Sequence, residues 1–106
     1  MATLLQVDFD FGGPWGADMT RALDGLARDI AGEPGLIWKI WTESQRTGQA
    51  GGIYLFDKPA NATAYAAKHS ARLAEMGITG IRAISFAVND DLSAITRAPL
   101  PGGPNG

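Results

Sequence analysis

The chain has 106 residues but no cysteine and only one histidine. The absence of cysteine excludes disulfide scaffolds, thiol catalysis, thiolate zinc sites and iron–sulfur clusters. A single histidine among scattered carboxylates matches no standard ligand spacing, so no metal site is expected. The motifs GxGxxG, Walker A and GxSxG are also missing, and we expect no cofactor.

The chain also lacks an excess of basic residues and any long apolar run. Its formal net charge is -2 with a pI near 5.1, which argues against a nucleic-acid partner. No apolar run approaches the roughly 18 residues of a membrane-spanning helix, so no membrane partner is expected. The opening MATLLQVDFDF has neither the basic region nor the cleavage motif of a signal peptide. A cytoplasmic protein is therefore predicted.

Apolar periodicity predicts four strands and two long helices. The strands are predicted at 3–11, 36–43, 51–56 and 78–88. One helix follows Pro14 and ends at Gly32, and the other begins near Pro59, with Asp57 as its cap, and ends at Gly77. The order β-α-β-β-α-β predicts the α+β ferredoxin-like fold, a four-stranded antiparallel sheet with both helices on one face.

The composition divides the chain into one domain and a tail. Residues 1–97 are predicted to form the ferredoxin-like domain, with a short helical turn within 90–97. Residues 98–106, APLPGGPNG, are predicted to be a flexible Pro/Gly-rich tail, because proline and glycine do not build a packed helix or strand. We expect this tail to be dispensable for folding.

The second strand, LIWKIWTE, is apolar on both of its faces. Strict alternation places Leu36, Trp38 and Ile40 on one face and Ile37 and Trp41 on the other. The helices cover one face of the sheet, and the other face would remain an apolar patch in a monomer. The sequence therefore predicts a homodimer in which two sheets pack face to face.

Three blocks of the sequence, in order, resemble the YdhR family of monooxygenases: WKIWTE at 38–43, GGIYLF at 51–56 and KHSARL at 68–73. The opening MATLLQ fits as well, and the resemblance covers residues 1–97. It implies a member of the dimeric α/β-barrel superfamily, which includes the antibiotic-biosynthesis monooxygenases. It also implies a homodimeric barrel with a pocket between each sheet and its own helices. Some superfamily members oxidise polycyclic phenols to quinones with O₂ and without metal or flavin.

Three residues are candidates for catalysis. His69 lies on the apolar stripe of the second helix, either as a buried hydrogen-bonded side chain or as a general base or substrate hydrogen-bond partner. Arg72 follows one turn later and either forms a surface ion pair or holds an anionic phenolate or enolate. Tyr54 is a candidate hydrogen-bond donor to the same anion.

The predicted substrate-binding residues are Trp38, Phe9, Ala66 and Leu73. Because Trp38 and Trp41 face opposite ways, at most one lines a given pocket; we assign Trp38 to the pocket and Trp41 to the dimer interface. Asp8 and Asp10 are expected on a solvated or edge-strand face, and Glu43 is expected to pair with a nearby cation.

The resemblance, together with these residues, implies a cofactor-independent monooxygenase acting on a small planar phenolic or hydroquinone-like substrate with O₂. One alternative is a non-catalytic dimer that binds or senses a small aromatic molecule. Another is a haem-binding or haem-degrading protein. The haem degraders of the superfamily carry an asparagine on the first strand, where this chain has Asp8 and Asp10, so the resemblance to them is weaker.

Overall fold

The computed structural model describes residues 2–101, which form a four-stranded sheet and three helices. The elements are β1 (Thr3–Asp10), α1 (Gly16–Ala31), β2 (Leu36–Ser44), β3 (Gln49–Phe56), α2 (Pro59–Glu75), β4 (Arg82–Ala87) and α3 (Asp90–Ile95). The strand order is β2-β3-β1-β4 and every neighbouring pair is antiparallel. The predicted ferredoxin-like α+β fold is confirmed. Within residues 2–101, none of the helices combines the length and the apolar character that crossing a membrane requires.

The core lies between one face of the sheet, called here the covered face, and helices α1 and α2. The alternating residues Leu5, Val7 and Phe9 of β1 are buried there, as their spacing predicted. Each helix adds a buried stripe, which consists of Met19 and Ile30 in α1 and of Ala62, Tyr65, His69 and Leu73 in α2. The opposite side of the sheet is called here the open face.

A bulge in β2 changes which side chains share a face. Leu36 pairs with Phe56, but the next pair is Trp38 with Leu55, so one residue of β2 is extra. A bulge shifts the two-residue alternation by one position. Leu36 therefore lies on the covered face with Lys39 and Trp41, and the prediction that it shares a face with Trp38 is wrong.

Several strand ends differ from the predictions by one or two residues, and the two ends of α2 differ in ways that have a physical reason. The last strand begins at Arg82 instead of residue 78, because Gly77, with φ 81, ends α2 and residues 78–81 form a connection to β4. The Ile78 amide donates to the Leu73 carbonyl at 3.0 Å, which is typical of a left-handed helix stop. At the other end of α2, Asp57 accepts a hydrogen bond from the Asn61 side chain and does not cap the helix.

The segment after β4 crosses the open face. It leaves β4 at one edge of the sheet, where the Val88 amide donates to the Ala2 carbonyl at 3.3 Å. It reaches the opposite edge, where Trp38 Nε1 donates to the Pro99 carbonyl at 2.9 Å. Leu55, which lies between these two points on the open face, is fully buried. Of the predicted tail, Ala98 and Pro99 therefore form hydrogen bonds with the domain, and residues 102–106 lie outside the described part of the chain.

Candidate functional site

A small cavity of about 30 Å³ lies between the covered face and helices α1 and α2. Its walls are mostly aromatic and aliphatic, and the predicted residues Phe9 and Leu73 are among them. Among the described residues, Lys39 and His69 are the ionisable side chains that line it, and no carboxylate does. The cavity therefore combines apolar walls with two basic groups.

His69 is held in this cavity by its neighbours on α2 and is only 3% exposed. Its ring stacks on Tyr65, with centroids 5.1 Å apart and planes 19° apart. Its Nδ1 lies 3.1 Å from Nη2 of Arg72. Because a guanidinium only donates, Nδ1 must accept, and the neutral ring carries its proton on Nε2. Burial, followed by the charges of Lys39 and Arg72, lowers the pKa of His69 to about 4, so the ring is neutral at pH 7.

Arg72 connects the two helices and orients His69. Its Nη1 donates to Asp29 Oδ2 on α1 at 2.9 Å, while its Nη2 contacts His69. Its Nε is buried without a hydrogen-bond partner within residues 2–101. Arg72 does not line the cavity itself. The structure thus brings His69 and Arg72 together and gives Arg72 the ion pair that was one of its two predicted roles.

Tyr54 lies behind the cavity wall, where it is buried on β3. Its hydroxyl shares a hydrogen bond of 3.1 Å with the hydroxyl of Tyr65. Burial raises the pKa of Tyr54 and raises that of Tyr65 to about 12, so both phenols stay protonated at neutral pH. Tyr65 was missed by the sequence reasoning, although its spacing from Ala62 and His69 places it on the same helical stripe.

Lys39 is the second residue that the sequence reasoning missed. It lies on the covered face of β2, with Nζ 3.3 Å from the ring centroid of Trp41 and 4.6 Å from that of Tyr54. Gly52 makes room for it, because a Cβ at that position would lie 2.5 Å from Lys39 Cε. Burial, and then the charge of Arg72, lowers the pKa of Lys39 to about 7. The bulge that turns Lys39 towards the helices leaves no clear signal in the sequence.

The two tryptophans of β2 occupy the reverse of their assigned places. Trp41 lines the cavity, whereas Trp38 lies on the open face and binds Pro99. Ala66 packs against the core without lining the cavity. Trp41 also lines two outer grooves of about 260 and 220 Å³ beside α1, and it shares the first with Met19 and Leu23 and the second with Lys39. These shared residues form the walls between the grooves and the inner cavity.

Two of the acidic residues considered in the sequence, Asp8 and Glu43, have structural partners. Asp8 accepts a hydrogen bond from Arg82 at 2.9 Å on the open face. Glu43 Oε1 accepts from the amide of Gly16, the first residue of α1, at 2.8 Å. The expected cation partner for Glu43 is wrong, because the carboxylate instead satisfies an unpaired amide at a helix N-terminus. Within residues 2–101, no group of three or more metal-ligating side chains is positioned to hold a metal ion.

Comparisons with known proteins agree with this architecture. The crystal structure of a putative antibiotic biosynthesis monooxygenase from Deinococcus radiodurans superposes with a TM-score of 0.53 and 13% identity. The match covers 84% of this chain and 93% of the other, and at that identity it shows a common fold. No curated protein matches the chain. The family model described as "Putative mono-oxygenase ydhR" matches residues 4–99, and the chain therefore belongs to this family of putative mono-oxygenases.

Proposed function

We propose that the protein is a cofactor-independent monooxygenase that oxidises a small planar phenol or hydroquinone with O₂. The observation that carries this proposal is the apolar cavity lined by Lys39 and His69 and by no carboxylate among the described residues. Such a site favours a ligand that loses a proton and becomes an anion. Family membership supports the general class of reaction, and the substrate class is argued from the cavity.

In this reaction the phenol hydroxyl loses its proton, and the resulting anion transfers electrons to O₂. One oxygen atom enters the ring to form a quinone, and the other leaves as water with the two hydrogens that the substrate loses. The substrate supplies all the electrons, so no further reductant is required. The apolar walls exclude water and leave the anion stabilised by fixed protein groups.

The roles of the three predicted catalytic residues follow from their contacts. His69 donates a hydrogen bond to the substrate oxygen through Nε2–H, since its Nδ1 is occupied by Arg72. Of its two predicted chemical roles, hydrogen-bond partner and general base, the contact favours the first. Arg72 is a positioning residue that maintains this tautomer. Tyr54 contacts the His69 ring edge-on and hydrogen-bonds Tyr65, on which His69 stacks.

Substrate access requires Trp41 to move. The inner cavity of about 30 Å³ has room for only one or two water molecules and is too small for an aromatic ring. Rotation of the Trp41 indole would join it to the adjoining groove of about 260 Å³, which is lined by Met19 and Leu23 and also by the carboxylates of Asp24 and Glu43. The substrate oxygen is therefore placed in the inner cavity, beside Lys39 and His69, and the rest of the ring in the groove. The flat slot formed in this way suits a planar ring.

Oxygen uptake by the chelator-treated protein with a panel of hydroquinones and polycyclic phenols tests the proposal. We expect consumption without added flavin or metal, and one atom of isotopically labelled O₂ in the quinone. His69→Asn takes the Nε2–H donor away from the substrate oxygen. It should lower turnover about 100-fold, as loss of one oxyanion donor typically does. Ser70→Ala, at the next position of α2 and outside the cavity lining, should leave turnover unchanged.

Two results would overturn the proposal. Oxygen uptake that depends on added flavin or metal would contradict cofactor independence. Tight binding of phenols without any oxygen consumption would identify the protein as a small-molecule binder instead.

A further inference from the structure

Lys39 is the least expected side chain in the cavity. An amine normally extends from a sheet into water, but this one lies on the covered face among aromatic rings. Among the described residues it has no ion pair and no hydrogen bond, whereas Lys68 on the surface of α2 pairs with Glu33. A partly buried lysine without a carboxylate partner among the described residues is available to a ligand.

The local sequence provides a space for this side chain. Gly52, opposite Trp41 in the β2–β3 register, has no Cβ, and the aliphatic part of Lys39 occupies that volume. The Trp41 ring then lies 3.3 Å below the amine. Lys39 thus lines the inner cavity, beside the Trp41 indole, and also the second outer groove of about 220 Å³.

We propose that Lys39 accepts the proton of the substrate hydroxyl and then binds the resulting anion, an inference that rests on the proposed function. The neutral amine takes the proton on its lone pair, the O–H bond breaks, and an ammonium–phenolate pair forms without any other reactant. The favoured substrates are therefore phenols and enols acidic enough to ionise against a neutral amine. His69 supplies the second hydrogen bond to the anion.

The surroundings of Lys39 fit this role. From α2 it faces the charge of Arg72 and the neutral ring of His69, and from β3 it faces the protonated Tyr54. The parts of β1 and α1 that line the cavity are apolar. Burial and Arg72 hold the pKa of the amine at about 7, so both of its protonation states are populated at neutral pH. His69, with a pKa of about 4 and an occupied Nδ1, is a poorer proton acceptor.

The test uses 4-nitrophenol, a probe that resists oxidation and absorbs visible light only as the phenolate. At one pH unit below its own pKa, about a tenth of the free probe is ionised. Wild-type protein should bind it as the phenolate, with growth of the visible band and quenching of tryptophan fluorescence. Lys39→Met should weaken binding of the phenolate about 10- to 100-fold, the usual effect of losing a hydrogen bond to a charged group.

Two further variants separate proton transfer from charge. Lys39→Arg keeps a positive charge but cannot be deprotonated, so it should still bind added phenolate while losing turnover on oxidisable phenols. Lys68→Met removes an exposed lysine and should change neither binding nor turnover. Circular dichroism establishes that each variant is folded.

Several outcomes would overturn the inference. One is that the wild-type protein binds 4-nitrophenol only in its neutral form, or does not bind it at all. Another is that a folded Lys39→Met variant still binds 4-nitrophenol as the phenolate. If that variant also retains oxygen uptake, the proposed function stands without Lys39. If the probe ionises through Lys39 but no phenol consumes oxygen, the anion site stands and the proposed function fails.

Discussion

At the scale of single residues, the site depends on which side chains are turned into the core. Lys39 is partly buried beside Trp41 and Tyr54, and its charged form is disfavoured there. Burial of an amine without a carboxylate partner reduces the stability of the fold. Natural proteins accept such destabilisation at functional sites, and this is an argument for a functional role of Lys39.

The same burial predicts how stability changes with pH. The pKa of Lys39 is lowered from 10.5 to about 7 in the folded state, so between these values the unfolded chain holds a proton that the folded chain does not. The free energy of unfolding therefore rises with pH across this window, by at most about 1.4 kcal/mol per pH unit. Lys39→Met removes this contribution. We predict that it is more stable than wild type near pH 7 and that the difference shrinks towards pH 10, as measured by urea denaturation.

The surface substitution Lys68→Met controls for the loss of one positive charge. If the free energies of unfolding of Lys39→Met and wild type differ by the same amount from pH 7 to pH 10, the folded protein does not hold Lys39 in its neutral form.

At the scale of elements, the second strand and the C-terminal segment depend on each other. The bulge in β2 turns Trp38 to the open face, where its indole nitrogen binds the Pro99 carbonyl. The segment that carries Pro99 crosses the sheet over Leu55, which is fully buried. Residues 98–101 thus cover part of the sheet face that the helices leave open.

A chain that ends at Arg97 should therefore be less stable than the full chain. It loses the Trp38–Pro99 hydrogen bond and exposes part of the surface around Leu55. We predict a loss of about 1 to 3 kcal/mol in the free energy of unfolding, measured by chemical denaturation. A chain that ends at Pro101 keeps every described contact and serves as the matched control. Equal stability of the two truncated chains would show that the segment contributes nothing and would favour the dispensable tail expected from composition.

At the scale of the whole molecule, the remaining open face is unusually apolar. Beyond the part that the C-terminal segment crosses, Ile40, Ile84 and Phe86 are 54%, 40% and 47% exposed on this face. These side chains lie on the two edge strands, Ile40 on β2 and the other two on β4, and exposed apolar side chains on one sheet face are typical of an interaction site. A second copy of the chain presents the same apolar face, so the two open faces could pack against each other.

We predict a homodimer in which the two open faces pack together and bury on the order of 2,000 Å² in total. Ile40→Asp should give a folded monomer, because this side chain is already exposed in the single chain and an unpaired carboxylate would be buried in the dimer. Met76→Asp, at a similarly exposed position at the end of α2, should remain dimeric. Light scattering coupled to size exclusion measures both masses. A wild-type mass of one chain at micromolar concentration would contradict the prediction.

Much of the fold was determined by local sequence signals. The alternation of β1, the apolar stripes of α1 and α2 and the left-handed stop at Gly77 are properties of neighbouring residues, and they led to the correct order of elements. The same stripe placed His69 in the core, and its spacing to Arg72 brought the two side chains into contact. Helical spacing is enough for these inferences because it fixes which residues lie on one face.

The remaining features depend on contacts between distant parts of the chain. Whether Lys39 or Trp38 faces the helices depends on one extra residue in β2, which is set by its pairing with β3 and not by its own composition. The space for Lys39 comes from Gly52, 13 residues later on the paired strand, and the cover over Leu55 comes from a segment that crosses the whole sheet. The sequence alone therefore identified the fold and the helical part of the site. The side chains that the sheet contributes to the cavity were decided by tertiary structure, because strand register is a property of the assembled sheet.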